Sequence, residues 1–278
     1  MRKIKIVADS SADLLQLEGM DFAVAPLKII ADGKEFMDDA NLDPAEMVAW
    51  FDSYKGKSKT SCPNPQDWID DFDGYQEVYC VTITSGLSGS YNSAVAAKKM
   101  YEADDPNAKV YVLDSLSAGP ELVLHIEELA RCIREDMPFQ EICKHMEAYK
   151  KTCGLVFMLG SLKNFAANGR VSPAVAKIAG VLNIRIVGKA SDKGTLEPLH
   201  KCRGEAKSLA AMLEHMLAEG LRKGKVRIAH CLNAPAAQAL KEKILAVAPH
   251  VQVTVHKLRG LCSYYAEKGG LLVGFEKC

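Results

Sequence analysis

The chain has 278 residues, 48% of them apolar, with 35 Lys+Arg against 35 Asp+Glu. That length suits two hydrophobic cores better than one. The zero net charge excludes bulk electrostatic attraction to nucleic acid or to an anionic membrane, so small molecules and other proteins are the expected partners, with any membrane contact transient.

Nine cysteines, at 62, 80, 132, 143, 153, 202, 231, 262 and 278, form no Cys-x-x-Cys pair. Neither a metal centre nor a disulfide framework is expected from that spacing. No run approaches the roughly 18 apolar residues of a membrane span, and the start MRKIKIVADSS is too briefly apolar for a signal peptide, which predicts a cytoplasmic protein.

The first apolar run, IKIVA (4–8), reads as a buried strand and leads into VADSSADL (7–14). Asp9 then stands at a strand's carboxyl end, where ligands collect in open α/β sheets. Alternatively Ser11 or Asp13 caps a helix through Leu14, Leu15 and Leu17. FAVAPLKII (22–30) reads as the next strand and Pro44–Tyr54 as a helix. KTSCPNP (59–65) is polar and broken by two prolines, which predicts a stiff loop carrying the Thr60 and Ser61 hydroxyls, with Ser61 or Asn64 starting a helix over 65–72.

EVYCVTI (77–83) runs directly into TSGLSGSYNSA (84–94). Here Thr84, Ser85, Ser88 and Ser90 present hydroxyls while Gly86 and Gly89 permit close backbone approach. The turn is therefore either an anion cradle or an ordinary serine-capped strand-to-helix turn. It lacks the Walker A lysine, the dinucleotide fingerprint and the Gly-x-Ser-x-Gly elbow, and no cofactor is expected. A helix over Ser93–Tyr101, the strand KVYVLD (109–114) and a second strand-end Asp-Ser in VLDSLSAG (112–119) follow, so Asp9, the serine turn and Asp114 can converge on one crevice.

Helices over Leu122–Glu135 and Phe139–Lys150 close the first half, and a boundary near 153 predicts domains 1–153 and 154–278. The second half supplies strands GLVFML (154–159), IRIVG (184–188), KVRIAHC (225–231) and VQVTVHKL (251–258), with helices Arg203–Glu219 and Ala234–Val247. LKNFAANGRVSPAVAKIAG (162–180) sets an Asn-Gly-Arg turn before a helix of small apolar residues. Arg170 in that turn faces an anion or a partner's carboxylate, or is a solvated surface residue. The alternation predicts the α/β class: two α/β domains, the first with a largely parallel sheet flanked by helices.

The joint order of KIVADSSADL, APLKI, KTSCPNP, ITSGLSGSYNSA, VLDSLSAG, LKNFAANGRVS and KCRG resembles the DegV family of bacterial fatty-acid-binding proteins, from the first strand to the last. The resemblance implies a long-chain fatty acid, palmitate or similar, held between the domains, its carboxylate bound by hydroxyls and presented to a separate ATP-dependent fatty-acid kinase. The binding protein itself is then a lipid carrier with no catalytic residues and no metal. Carried over, the carboxylate-binding threonine falls on Thr60, beside Ser61, and the serine on Ser88, beside Gly89. The arginine linked to kinase docking and phosphotransfer falls on Arg170, and a further basic position on Arg203. Two departures stand out: Cys62 replaces the family's glutamine, and the histidine of its His-x-Gly-Pro-Gly loop falls on Tyr265. Tyrosine donates a hydrogen bond but supplies no charge near neutral pH.

The tail lining expected on this reading is the helix Val175–Leu182 and the strand Leu155–Leu159. The competing reading is an enzyme, a phosphotransferase or hydrolase acting on a small anionic substrate in the same crevice through Asp9, Ser10 and Asp114. None of the seven histidines lies in the serine-rich segments to act as its base. A DNA-binding regulator is disfavoured by the balanced charge.

Overall fold

The computed structural model describes residues 2–172 and 183–277. Strand β1 (Ile4–Asp9) is central in a four-stranded sheet of order β2-β1-β6-β7, with β2 (Phe22–Ala25), β6 (Glu77–Thr82) and β7 (Lys109–Asp114). Every pairing in this sheet is parallel. Parallel sheets are covered on both faces, which is why these strands read as unbroken apolar runs. Ile6 and Ala8 join Tyr79 and Val81 under α4 (Pro120–Arg134) and α5 (Phe139–Tyr149), whereas Val7, Val78 and Cys80 pack beneath α2 (Pro65–Phe72) and α3 (Ser90–Asp104).

FAVAPLKII is not one strand. Pro26 lacks an amide hydrogen and the chain turns there, with the Leu27 amide donating to Ser10 Oγ at 3.0 Å. β3 (Lys28–Ala31) then forms a small antiparallel sheet with β4 (Lys34–Met37) and β5 (Ser58–Ser61), order β4-β3-β5. Asp32-Gly33, at φ 45° and 77°, makes the two-residue hairpin between β3 and β4. The helix expected through Leu14 and Leu17 is absent; a single 3-10 turn spans Ser10–Ala12, capped by Asp9. After α1 (Pro44–Ser53), the segment expected to be a loop at 59–65 instead places Thr60 and Ser61 on β5, opposite Ile29 and Lys28. Asn64 caps α2 through a reciprocal capping box with Asp67.

The second sheet has six strands in the order β10-β9-β8-β13-β11-β12. They are β8 (Cys153–Leu159), β9 (Ile184–Ala190), β10 (Leu196–Arg203), β11 (Gly224–His230), β12 (Val251–Lys257) and β13 (Leu271–Glu276). Only β11 and β12 pair in parallel. All strands of the parallel sheet precede Cys153 and all strands of this mixed sheet follow from it. Val156 and Met158 face a core built with Met212 of α7 (Glu205–Ala218) and Leu240 of α8 (Ala234–Val247). The period of two turns Leu155, Phe157 and Leu159 to the opposite face, toward Leu27, Ile29 and Ile83 of the first half.

Two further short helices matter to the site: α6 (Lys163–Ala167) and α9 (Gly260–Ala266). Arg203, expected to open a helix, is instead the last residue of β10, and α7 begins only after Gly204, whose φ of 86° ends the strand. Among the described residues no helix is long and apolar enough to cross a membrane.

Candidate functional site

Between the face of β8 carrying Leu155, Phe157 and Leu159 and the first half of the chain lies a cavity of about 280 Å³. Its volume sits near the lower end of ordinary small-ligand sites. Leu27, Ile83, Leu261 and Leu272 complete much of the apolar wall. Thr60, Ser61, Cys62, Ser88, Gly89, Arg170 and Tyr265 also line it. Among the described lining residues the charged side chains are Arg170 and Lys189, both cationic, and there is no carboxylate or histidine.

The serine turn is held from beneath. Asp9, fully buried, accepts from the Ile83 amide at 2.8 Å, the Ser90 hydroxyl at 2.6 Å, and both the amide and hydroxyl of Ser11. Burial raises the Asp9 pKa, against the pull of these hydrogen bonds. Asp114 accepts from the Ser85 and Leu116 amides at 3.0 and 3.2 Å, and Ser10 is engaged by Leu27. The three polar groups of the enzyme reading are thus framework around the turn, and none lines the cavity. Ser88 Oγ accepts from the Ser90 amide at 3.3 Å, while Gly89, at the N-cap of α3, supplies no side-chain cap.

Thr60 comes from β5 and Tyr265 from α9. Their hydroxyls lie 2.9 Å apart. Burial raises the Tyr265 pKa, so the phenol keeps its proton at neutral pH; because one hydrogen of the pair is used between them, the other is available to an acceptor in the cavity. Phe165 packs over the Tyr265 ring with centroids 4.6 Å apart. Burial also pushes the Cys62 thiol pKa up, which makes it a poor nucleophile.

Arg170 spans the two halves. Its Nε donates to the Leu87 carbonyl at 3.0 Å and a second guanidinium nitrogen donates to the Asn168 carbonyl, so the Asn-Gly-Arg turn is tied to the serine turn. Asn168 does not line the cavity but braces the residues that do. Its Oδ1 accepts from the Thr60 amide at 3.1 Å, and its Nδ2 donates to the Tyr264 hydroxyl at 3.0 Å and the Asn164 carbonyl at 2.9 Å. Tyr264 in turn pairs with the Ser58 hydroxyl at 2.6 Å. The only local hint was the Asn-Gly pair, which announces a turn and says nothing about a partner on β5.

Thr60, Ser61, Ser88, Gly89, Arg170 and Tyr265 are therefore brought together, and Arg203 is not. Leu196, at the other end of β10, lines the cavity. Arg203 is exposed seven residues further along the strand, about 20 Å away at the rise of a β-strand. The predicted tail strand contributes Leu155, Phe157 and Leu159, while Val156 and Met158 face the other core. The helix expected over Val175–Leu182 lies outside the described residues. Away from the cavity, Glu128, Cys132 and His145 place three metal-ligand-type atoms within 4.8 Å, but Arg131 engages both Glu128 oxygens, at 2.7 and 3.0 Å, and completes an ion-pair cluster.

The tip between β9 and β10 closes against the serine turn. A Cβ at Gly194 would lie 1.9 Å from Thr84 Oγ1, and one at Gly86 would lie 2.6 Å from the Lys193 carbonyl oxygen. Only glycines admit this approach.

A family model described as "Uncharacterised protein, DegV family" matches residues 3–277. A DegV domain-containing protein of Streptococcus pneumoniae is 40% identical over 276 residues, covering 98% of each chain. Among solved structures, a DegV family protein from Eubacterium eligens loaded with heptadecanoic acid superposes with a TM-score of 0.97 at 42% identity, over 99% of this chain and 100% of that one. The Fatty Acid Kinase (Fak) B3 protein of Streptococcus pneumoniae, loaded with linoleic acid, gives a TM-score of 0.97 at 40% identity, with the same coverage. The family match over residues 3–277, the 40% identity over nearly the whole chain and the shared α/β architecture place this chain in the DegV family.

Proposed function

We propose that this protein binds one long-chain fatty acid in the cavity between its two halves and presents the carboxylate to a separate ATP-dependent fatty-acid kinase. The halves, 1–153 and 154–278, act as two domains that enclose the ligand, and the protein works in the cytoplasm as a carrier, not a catalyst. One observation carries this reading: an apolar cavity bounded by Leu155, Phe157 and Leu159 is also lined by the Thr60 and Tyr265 hydroxyls, 2.9 Å apart, and its charged lining side chains among the described residues are cationic. The heptadecanoic and linoleic acids held by the two similar structures support the ligand class, and the name of the second supports the kinase partner.

The energetics divide the labour. About 14 methylenes at roughly 0.8 kcal/mol each supply on the order of 11 kcal/mol of gross transfer free energy. Hydrogen bonds to a charged carboxylate add about 1.5–3 kcal/mol apiece before desolvation. The tail sets affinity; Thr60, Tyr265 and Ser88 set which way the head faces, with Arg170 near enough to favour its charge. Ser61 and Gly89 complete the head-group wall, and Arg203 has no part in ligand contact. Native mass spectrometry of protein purified from a bacterial host tests the reading. An acyl chain carried at one per protein is expected; no acyl chain, together with no uptake of palmitate by delipidated protein, overturns it.

A further inference from the structure

Helix α9 carries Tyr265 but has no N-cap of its own, since Arg259 caps nothing with its side chain. Its first amides are satisfied from the other half of the chain. Asp38, fully buried after β4, accepts from the Gly260 amide through Oδ1 and from the Leu261 amide through Oδ2, each at 2.8 Å. Asp13, after β1, accepts from the Arg259 amide at 2.6 Å. Three consecutive amides are thus gripped by two carboxylates more than 200 positions away in sequence, at separations of 222, 223 and 246. There is no slack: a Cβ at Gly260 would lie 2.6 Å from Asp38 Oδ1 and 2.5 Å from the Leu42 side chain.

Leu261 and Tyr265 stand one turn apart on the same helical face and both line the cavity. The Asp38 grip therefore sets the rotation of that face. Apolar contact through Leu261 tolerates a small rotation because it has no direction, whereas a hydroxyl-to-carboxylate hydrogen bond weakens steeply with angle. Resting on the fatty-acid reading above, we infer that Asp38 is a positioning residue for carboxylate recognition: it holds α9 so that the Tyr265 hydroxyl meets Thr60 and the ligand's head.

Delipidated wild type, Asp38→Asn, Tyr265→Phe and the double variant would each be titrated with palmitate and with hexadecanol, which has the tail without the carboxylate. Asn keeps one acceptor but turns an amide group against a backbone N–H. The expected result is a loss of about tenfold for palmitate with Asp38→Asn, hexadecanol binding held within about twofold, and no further palmitate loss when Asp38→Asn is added to Tyr265→Phe. Equal losses for both ligands, unchanged palmitate binding, or additive losses in the double variant would overturn the inference while leaving the fatty-acid reading standing. A wild type that does not distinguish palmitate from hexadecanol would overturn both. Should Asp38→Asn fail to fold, Asp13→Asn, which keeps an acceptor for Arg259, must give the same ligand-selective loss, and a loss shared by both ligands there overturns the inference.

Discussion

Thr60 Oγ1 and the Tyr265 hydroxyl lie 2.9 Å apart across a sequence separation of 205 residues. One belongs to the small antiparallel sheet of the first half and the other to a seven-residue helix of the second. Replacing Thr60 by Val keeps the β-branched shape and removes the hydroxyl. Palmitate affinity is expected to fall by roughly 5- to 20-fold, about 1–2 kcal/mol, with little change in melting temperature, as read by titration calorimetry and a thermal scan.

Asp9 behaves as framework in this account. Asp9→Ala strands the Ser90 hydroxyl and the Ile83 amide in a fully buried setting, so urea denaturation should show a loss of about 2–4 kcal/mol. A variant that keeps full stability would return Asp9 to the list of groups free for chemistry.

The hairpin tip at Gly194 is pressed onto Thr84 at φ 70°. Gly194→Val has no room there, and the expected outcome is a displaced tip with faster release of a fluorescent fatty acid in stopped flow. Unaltered release would show that the tip does not bear on the cavity.

Glu121 and His125 form a buried pair on α4, with Glu121 accepting from the Ser117 hydroxyl and both imidazole nitrogens of His125 lacking a hydrogen-bond partner. Burial pushes Glu121 up to about 7 from 4.5 and His125 down to about 3 from 6.5. The raised carboxyl contributes stability that is complete below pH 4.5 and lost as pH rises through about 7. The depressed imidazole contributes stability present above pH 6.5 and lost as pH falls toward about 3. Glu121→Gln should therefore gain on wild type by about 3 kcal/mol between pH 4.5 and about pH 8 in urea midpoints, because the amide cannot ionise. A pH-independent difference would contradict this.

What the sequence made legible followed from local rules. The inner strands β1 and β6 of the parallel sheet are largely buried and read as continuous apolar runs, and the helix over Ala234–Val247 has the bounds its pattern predicts. Of the two caps the sequence offers for α2, Ser61 and Asn64, Asn64 is the one used. The hairpin between β3 and β4 rests on Asp32-Gly33, a strong local turn signal set between the short strands Lys28–Ala31 and Lys34–Met37. Helix α9 was not legible for a physical reason: its amides are capped by Asp13 and Asp38 through tertiary contact, so no capping residue stands next to it. Arg203 opens the amphipathic stretch that predicts a helix over 203–219, but β10 runs through it and the turn after it rests on Gly204, at φ 86°, whose amide donates to the Asn183 carbonyl at 2.9 Å. Motif order points to Thr60, Ser88, Arg170 and Tyr265, all of which line the cavity, whereas Asn168 acts through a partner on β5 that no spacing reveals.

The most direct test of the central claim is a crystal structure of the protein loaded with palmitate. The account predicts an unbranched chain running along Leu155, Phe157 and Leu159, with a carboxylate oxygen within hydrogen-bond distance of Thr60 Oγ1 or the Tyr265 hydroxyl and the Ser88 hydroxyl beside it. A carboxylate lying among those apolar residues, or a chain bound elsewhere on the molecule, would contradict it.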